Sequence, residues 1–378
     1  MISRFLLALL LVGALASGCK TSPGSGGLRL NQIQFIGTHN SYHQHAPDSL
    51  VRLLASRSPA SVQALDYSHR PLPEQFELQG IRQIELDCFA DPAGGLYARP
   101  LGPKWAREAG LPPVPNPDPE GKLRRPGFKV MHVQDIDYFS SVLTLVDGLK
   151  QVRAWSKQHP DHVPIFILIE LKEDRPAPEL TRPAPIGERD LTALEAEILS
   201  VFPREKILAP NDVRGTASTL PEALRRHGWP KLNSVRGKVM FALDNGDELA
   251  ELYLKGHSAL QDRLMFVSVP PDNPAAAWMK ENDPIEGFER IQELVRAGFL
   301  VRTRADSDTI EARKNDVRRR DRALASGAQF ISTDYPQPNP KFSSYAVRFP
   351  NGVVARVNPV TGGPAQTWEQ PEPARRAP

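Results

Sequence analysis

Ile165-Phe166-Ile167-Leu168-Ile169-Glu170-Leu171-Lys172 is an unbroken apolar run whose first charges arrive only at its end. A run this short, rich in isoleucine, reads as a strand buried on both faces. Side chains alternate along a strand, so Glu170 and Lys172 share one face. A second run, Ile81–Asp87, ends in the same way. Its Glu85 and Asp87 also share a face, about 7 Å apart along the strand.

Working outward from these two, eight such runs appear: Ile33–Gly37, Ile81–Asp87, Phe128–His132, Ile165–Leu171, Lys238–Leu243, Leu264–Val269, Phe299–Arg302 and Gln329–Thr333. Helical patterns lie between them. Val142, Leu145, Val146, Leu149, Val152 and Trp155 fall on one helix face. Leu191, Leu194 and Ile198 mark another, and Phe288, Ile291, Leu294 and Val295 a third, closed by Gly298. Eight strands alternating with helices predict an α/β fold, a (β/α)8 TIM barrel, regular or distorted, over residues 31–340. The apolar residues of the helices are then core packing.

Composition narrows the class. Of 378 residues, 40% are hydrophobic and 24% charged, which excludes a disordered, collagen-like or multi-span membrane chain. Lys plus Arg is 47 against 44 acidic residues, a net charge of only +3, so no nucleic-acid partner is expected. Two cysteines cannot build a disulfide scaffold or a cysteine-rich zinc site. Thirty-seven prolines require long ordered loops, because proline is excluded from helix interiors and central strands. They gather in Pro100–Pro126 and Pro176–Pro185, each following a strand, where barrel loops build the active face. Residues 341–378 read as an irregular Pro/Gly-rich tail.

The first 18 residues read as a secretory signal peptide: Arg4, then an apolar run from Phe5 to Leu15 too short to span a bilayer. Ala16-Ser17-Gly18-Cys19 is similar to a bacterial lipobox, which would lipidate Cys19 and anchor the chain to the cell envelope. Ala14-Leu15-Ala16 also fits ordinary cleavage and secretion. Residues 19–30 are then a flexible tether.

The chemistry gathers at strand ends. His39 and Asn40 follow the first run, Glu85 and Asp87 end the second, His132 ends the third, and Glu170 and Lys172 end the fourth. Asn40 and the three carboxylates form a hard oxygen set suited to Ca²⁺ or Mg²⁺ rather than zinc. His39 and His132 suit a general base and general acid. Each residue alone has a plainer explanation: a hydrogen-bonded structural histidine, or Glu85 paired with Arg82 or Lys129. Four neighbouring strand ends agreeing is what favours catalysis. Arg302 and Arg304 suit a phosphate or a polyhydroxylated ring, unless they pair with Asp306 or Asp308. Asp334 and Tyr335 are expected at the same rim, His43 and His45 within reach of substrate, and Arg318–Arg322 on a solvated helix face.

Gly37-Thr38-His39-Asn40-Ser41-Tyr42, Ile84-Glu85-Leu86-Asp87, Met131-His132 with Asp135 and Asp137, Ile169-Glu170-Leu171-Lys172 and Val301-Arg302-Thr303-Arg304-Ala305-Asp306 together resemble the phosphatidylinositol-specific phospholipase C superfamily, in its bacterial calcium-dependent branch. The resemblance covers roughly residues 31–340. It implies His39 as general base, His132 as general acid, and one Ca²⁺ held by Asn40, Glu85, Asp87 and Glu170. It implies, more loosely, that Lys172, Arg302 and Arg304 contact the phosphate or the inositol ring, and Tyr335, at the same rim, is a further substrate-binding candidate. The partner is then a phospholipid at a membrane surface, met by a monomer. Asn40-Ser41 stands where glycerophosphodiester phosphodiesterases carry Arg-Gly. A glycerophosphodiester or sphingomyelinase-D-like phosphodiesterase on the same barrel, and a non-catalytic envelope-anchored binding protein, are the alternatives.

Overall fold

The computed structural model describes residues 27–363 and 371–372. Its strands are β1 (Ile33–Thr38), β2 (Gln83–Phe89), β3 (Lys129–Val130), β4 (Ile165–Leu171), β5 (Val239–Leu243), β6 (Met265–Val267), β7 (Trp278–Lys280), β8 (Leu300–Arg304), β9 (Phe330–Thr333) and β10 (Ala355–Val357). Eight of them run parallel in the order β6-β5-β4-β2-β1-β9-β8-β7. A parallel bridge between Ser268 and Trp278 links β6 to β7 and nearly closes the barrel.

The count of eight agrees with the expectation, but the membership differs. Phe128–His132 is not a barrel strand. Only Lys129 and Val130 are extended, and they pair antiparallel with the end of β2, Cys88 opposite Val130. The buried Lys129 ammonium lies 3.2 Å from Asp91 and donates to the carbonyls of Arg125 and Gly127, which fastens this flap outside the barrel. The true member is β7. Its three residues follow Pro270, Pro271, Pro274 and a run of alanines, so no apolar run announces them. Ala275, Ala276 and Ala277 are fully buried there.

An aromatic layer fills the lower interior. Phe166 of β4 stacks on Phe330 of β9 at 4.2 Å between ring centres, with Phe35 5.3 Å from Phe330 and Trp278 5.7 Å from Phe166. Above it, register turns the interior polar within four residues. Across β2 and β4, Gln83 faces Phe166, Glu85 faces Leu168, and Asp87 faces Glu170. Across β4 and β5, Leu168 faces Ala242, and the Asp244 amide donates to Ile169 at 2.8 Å, so Asp244 continues the row of Glu170. Helices cover the outside as their periodicity predicts. The helix Leu145–Gln158 starts at Thr144, which accepts from the Asp147 amide at 3.1 Å, and buries Leu149, Val152 and Trp155. Gly298, with φ +95°, ends the helix Phe288–Arg296 in a conformation that favours glycine.

Both ends of the described segment are tied to the barrel more closely than expected. The tether through residue 30 stops short, because Leu28 and Leu30 are buried and bonded to Leu232 and Pro230. Beyond 340, the described residues are folded. β10 pairs antiparallel with β1, Ile33 opposite Val357. Glu372 forms an ion pair with the fully buried Arg82 and accepts the Val163 amide at 2.8 Å. This strap lies at the end of the barrel where the strands begin. Cys19 and the signal sequence lie outside the described residues.

Candidate active site

Register places the acidic residues before any side chain is considered. Glu85, Glu170 and Asp244 each offer a carboxylate oxygen, and these oxygens lie within 4.8 Å of one another. Asp87 sits beside Glu170 across the β2–β4 pair. Asp244 was not anticipated, although it directly follows an apolar run, the same signal that marked Glu170 and Asp87. Four oxygens here are buried without a hydrogen-bond partner: Asn40 Oδ1, both oxygens of Asp87, and Asp244 Oδ1. Buried acceptors left open at a cost of this kind fit a cation that binds through hard oxygens. Asn40 is presented from a left-handed turn at φ +44°, which asparagine tolerates, and its amide nitrogen donates to the Tyr67 hydroxyl at 3.1 Å.

Crowding shows in the electrostatics. Burial pushes the Glu85 pKa up to about 8, with Asp244, Asp87 and Glu170 adding to the rise against the pull of Arg302. Burial and then Glu170 push Asp87 up, while Lys172 opposes them. A divalent cation would oppose both shifts by favouring the ionised carboxylates.

Two histidines flank this set. His39 follows β1, and its Nδ1 lies 2.8 Å from Asp334 Oδ1. The carboxylate accepts, so Nδ1 carries the proton and Nε2 keeps a lone pair, 3.8 Å from Glu85 Oε1. Burial and the Arg304 charge lower the His39 pKa to about 3, against the pull of Asp334. His132 repeats the arrangement from the β3 flap, its Nδ1 2.8 Å from Asp137 Oδ2. The two are linked through rings in contact: Tyr67 lies 6.3 Å from His39 and stacks on His43 at 4.4 Å, and His43 meets His132 edge-on at 6.2 Å.

His43 does not reach substrate as its sequence position suggested. It is fully buried, with Nε2 3.1 Å from Asp137 and Nδ1 3.1 Å from the Tyr67 carbonyl. Both partners accept, so both ring nitrogens donate and His43 opposes the charge of Asp137. His45 pairs with Asp66 at 3.3 Å. Asp135, at φ +71°, holds loops: it accepts the amides of Leu101 and Thr181.

The basic residues are distributed differently from the expected patch. Arg302 is buried, donating to Glu85 at 2.7 Å, to Ser332 at 3.2 Å and to Asn282 at 2.5 Å. Neither Asp306 nor Asp308 holds it, and neither Arg82 nor Lys129 holds Glu85. Arg304 lies at the rim, 3.3 Å from Asp334 Oδ2 and donating to the Asp306 carbonyl. Tyr335 is buried behind the rim, its hydroxyl 3.4 Å from the Asp66 carbonyl. Lys172 lies among the carboxylates, 3.0 Å from Glu170 and 3.5 Å from Asp87. In the basic helix, Arg318 is exposed, whereas Arg319 donates to the carbonyls of Arg304 and Asn282 and braces the rim.

Comparison with known proteins shows the family. The profile of the family described as "Phosphoinositide phospholipase C, Ca2+-dependent" matches residues 28–359. A calcium-dependent phosphoinositol-specific phospholipase C from a Gram-negative Pseudomonas species superposes with a TM-score of 0.51 at 16% identity, covering 89% of this chain and 97% of that one. A Ca²⁺-dependent phosphatidylinositol-specific phospholipase C from Streptomyces antibioticus is similar at 17% identity and a TM-score of 0.49, covering 82% and 95%. No curated protein sequence matches. With the family profile spanning nearly the whole described barrel, the chain belongs to the Ca²⁺-dependent phosphoinositide phospholipase C family of enzymes.

Proposed function

We propose that the protein cleaves phosphatidylinositol-type lipids to diacylglycerol and a cyclic inositol phosphate, with His39 as general base and His132 as general acid. The observation that carries this reading is the matched pair of imidazoles, each anchored through Nδ1 on a buried carboxylate, beside an open set of oxygen ligands.

His39 is neutral at physiological pH, so its Nε2 can take the proton of the inositol 2-hydroxyl as that oxygen attacks phosphorus. Asp334 holds the ring in the productive tautomer and steadies the imidazolium that forms. His132 gives a proton from Nε2 to the departing diacylglycerol oxygen. Asp137 holds its Nδ1–H, and His43 keeps Asp137 from carrying an uncompensated charge. Arg304 and Lys172 would meet the phosphate and ring hydroxyls. Asn40, Glu85, Asp87, Glu170 and Asp244 would hold Ca²⁺, which supplies Lewis-acid stabilisation of the phosphoryl charge. The histidines exchange roles if water later opens the cyclic product.

Localisation is part of the proposal. Lipidation at Cys19 would hold the enzyme at the cell envelope, close to its substrate. The deciding experiment is digestion of vesicles containing a mixed phospholipid extract, with and without chelator, read by mass spectrometry. Loss of phosphatidylinositol with gain of diacylglycerol, only when Ca²⁺ is present, is expected. Cleavage of another headgroup in its place would refute the substrate assignment.

A further inference from the structure

The acidic rim carries cations of its own. Lys172 lies two residues beyond Glu170 on the same face of the extended chain. Its Nζ is 3.0 Å from Glu170 Oε1 and 3.5 Å from Asp87 Oδ2, and its side chain is 12% exposed. Lys280, the last residue of β7, lies 2.8 Å from Asp244 Oδ2 and also donates to the Asp244 carbonyl. Glu85 has Arg302. Each carboxylate of the set therefore has a protein counter-ion.

These counter-ions are not equivalent. Arg302 is locked by Glu85, Asn282 and Ser332 in a buried fork and cannot leave without breaking all three bonds. Among the described residues, the Lys172 ammonium pairs with the two carboxylates and bonds to no carbonyl. Its ammonium sits on a flexible four-carbon stem that reorients at little cost. Asp87 gains no well-directed hydrogen bond from it, since both Asp87 oxygens lack a hydrogen-bond partner. A divalent cation bound by Asp87 and Glu170 would lie within a few ångströms of that ammonium, and like charges so close in a poorly solvated site repel strongly.

Resting on the calcium reading above, we propose that Lys172 is a built-in competitor for the metal: its ammonium clamps Asp87 to Glu170 until a divalent cation displaces it, and the freed ammonium then meets the anionic phosphate of the diester. Metal and phosphate binding become mutually reinforcing, because each removes a cost that opposes the other. The lysine also shields the acidic cluster when the metal is scarce.

The test measures binding without turnover. Calorimetric titration of Ca²⁺ into the full chain, with no lipid present, compares the native protein with Lys172→Met, Lys172→Gln and Lys172→Arg. Removing the ammonium should tighten Ca²⁺ binding by about tenfold or more, the equivalent of one charge-assisted hydrogen bond no longer broken. Lys172→Arg keeps the charge and should bind Ca²⁺ no more tightly than the native protein. Melting curves establish that each variant is folded, and Lys172→Gln replaces Lys172→Met if that variant is not. With myo-inositol 1-phosphate as probe, Ca²⁺ should strengthen binding more in the native protein than in the neutral variants. Unchanged or weaker Ca²⁺ binding in both neutral variants overturns the competition while leaving the calcium site intact. A native protein that binds no Ca²⁺ overturns the site itself, and this inference with it.

Discussion

Asp87 and Glu170 face each other in register across the parallel strands β2 and β4, so two carboxylates share one level of the barrel wall. Neighbouring strands stand about 4.8 Å apart, too close for two uncompensated negative charges away from bulk water. Asp244 extends the row on β5, and Glu85 sits one inward position below Asp87. Ca²⁺ is therefore expected to raise the melting temperature by mass action, and chelation to abolish cleavage. Mg²⁺ should restore less activity, because it demands a tighter octahedral shell and sheds water reluctantly. Asp87→Asn and Asp244→Asn should each weaken Ca²⁺ binding while leaving the barrel folded. Full activity in excess chelator would remove the metal from the mechanism.

The pH dependence follows from Glu85. Its pKa is raised to about 8 from an ordinary carboxylate value near 4.3. A raised carboxylate pKa means that the folded state holds the proton more tightly than the unfolded chain. The associated stability is complete below about 4.3 and is lost as pH rises through about 8. Ca²⁺ favours the ionised form, so the melting increment it produces should grow from pH 5.5 to pH 8.5. Ca²⁺ binding near pH 7 should also release protons, seen as a dependence of the calorimetric heat on buffer ionisation enthalpy. An increment that shrinks with pH would contradict the shift.

Much of this site was legible because a strand's alternation and a barrel's polarity are both local rules. Apolar runs ending in charge located Glu85, Asp87 and Glu170 with no knowledge of what lies beside them. Asp244 obeyed the same rule and could have been found by it. What local rules could not supply was partnership across the barrel. Arg302 reads as a rim residue from its own strand, and only the closure of β8 toward β2 shows that Glu85 takes it. His43 reads as a loop residue until the β3 flap brings Asp137 onto it. The eight-strand count was met with one wrong member, because Phe128–His132 has a stronger apolar pattern than the three-residue β7. Glu372 carried no signal, since its partner Arg82 is 290 residues away.

That distant pair makes the strap testable. Arg82 is fully buried, and Glu372 is its carboxylate partner at the lower end of the barrel. Removing one member of a buried ion pair leaves the other charge uncompensated, typically a loss of about 3–5 kcal/mol. Glu372→Ala, or truncation after residue 360, should lower stability by that order in urea titration. The site lies at the opposite end, so the pH profile of the surviving folded enzyme should be unchanged. A variant as stable as the native chain would make the strap incidental.

Attachment is tested by fractionation. If Cys19 carries the lipid, Cys19→Ala should move the enzyme from the membrane fraction to the soluble fraction with its specific activity on soluble substrates retained. Unchanged membrane partition would leave ordinary signal cleavage as the better account.

The two histidines share a design but sit on different supports, and this separates the roles proposed for them. His39 is neutral, held at Nδ1 by Asp334 and depressed by burial and by Arg304, which suits a base. His132 shares Asp137 with the doubly donating His43 and reaches the site from the flap. His39→Ala and His132→Ala should each lower turnover by about 10²–10⁴-fold with melting temperature preserved. A leaving group that departs without a proton, such as a nitrophenolate ester of inositol phosphate, bypasses the acid alone. It should rescue His132→Ala by a large factor and His39→Ala hardly at all, because the attacking hydroxyl still needs its proton removed. His43→Leu should resemble a partial loss of the acid, since Asp137 would then lose one of its two imidazole partners and hold the His132 ring less firmly in place. Its activity should recover with the same leaving group, and rescue confined to His39→Ala would reverse the assignment of base and acid.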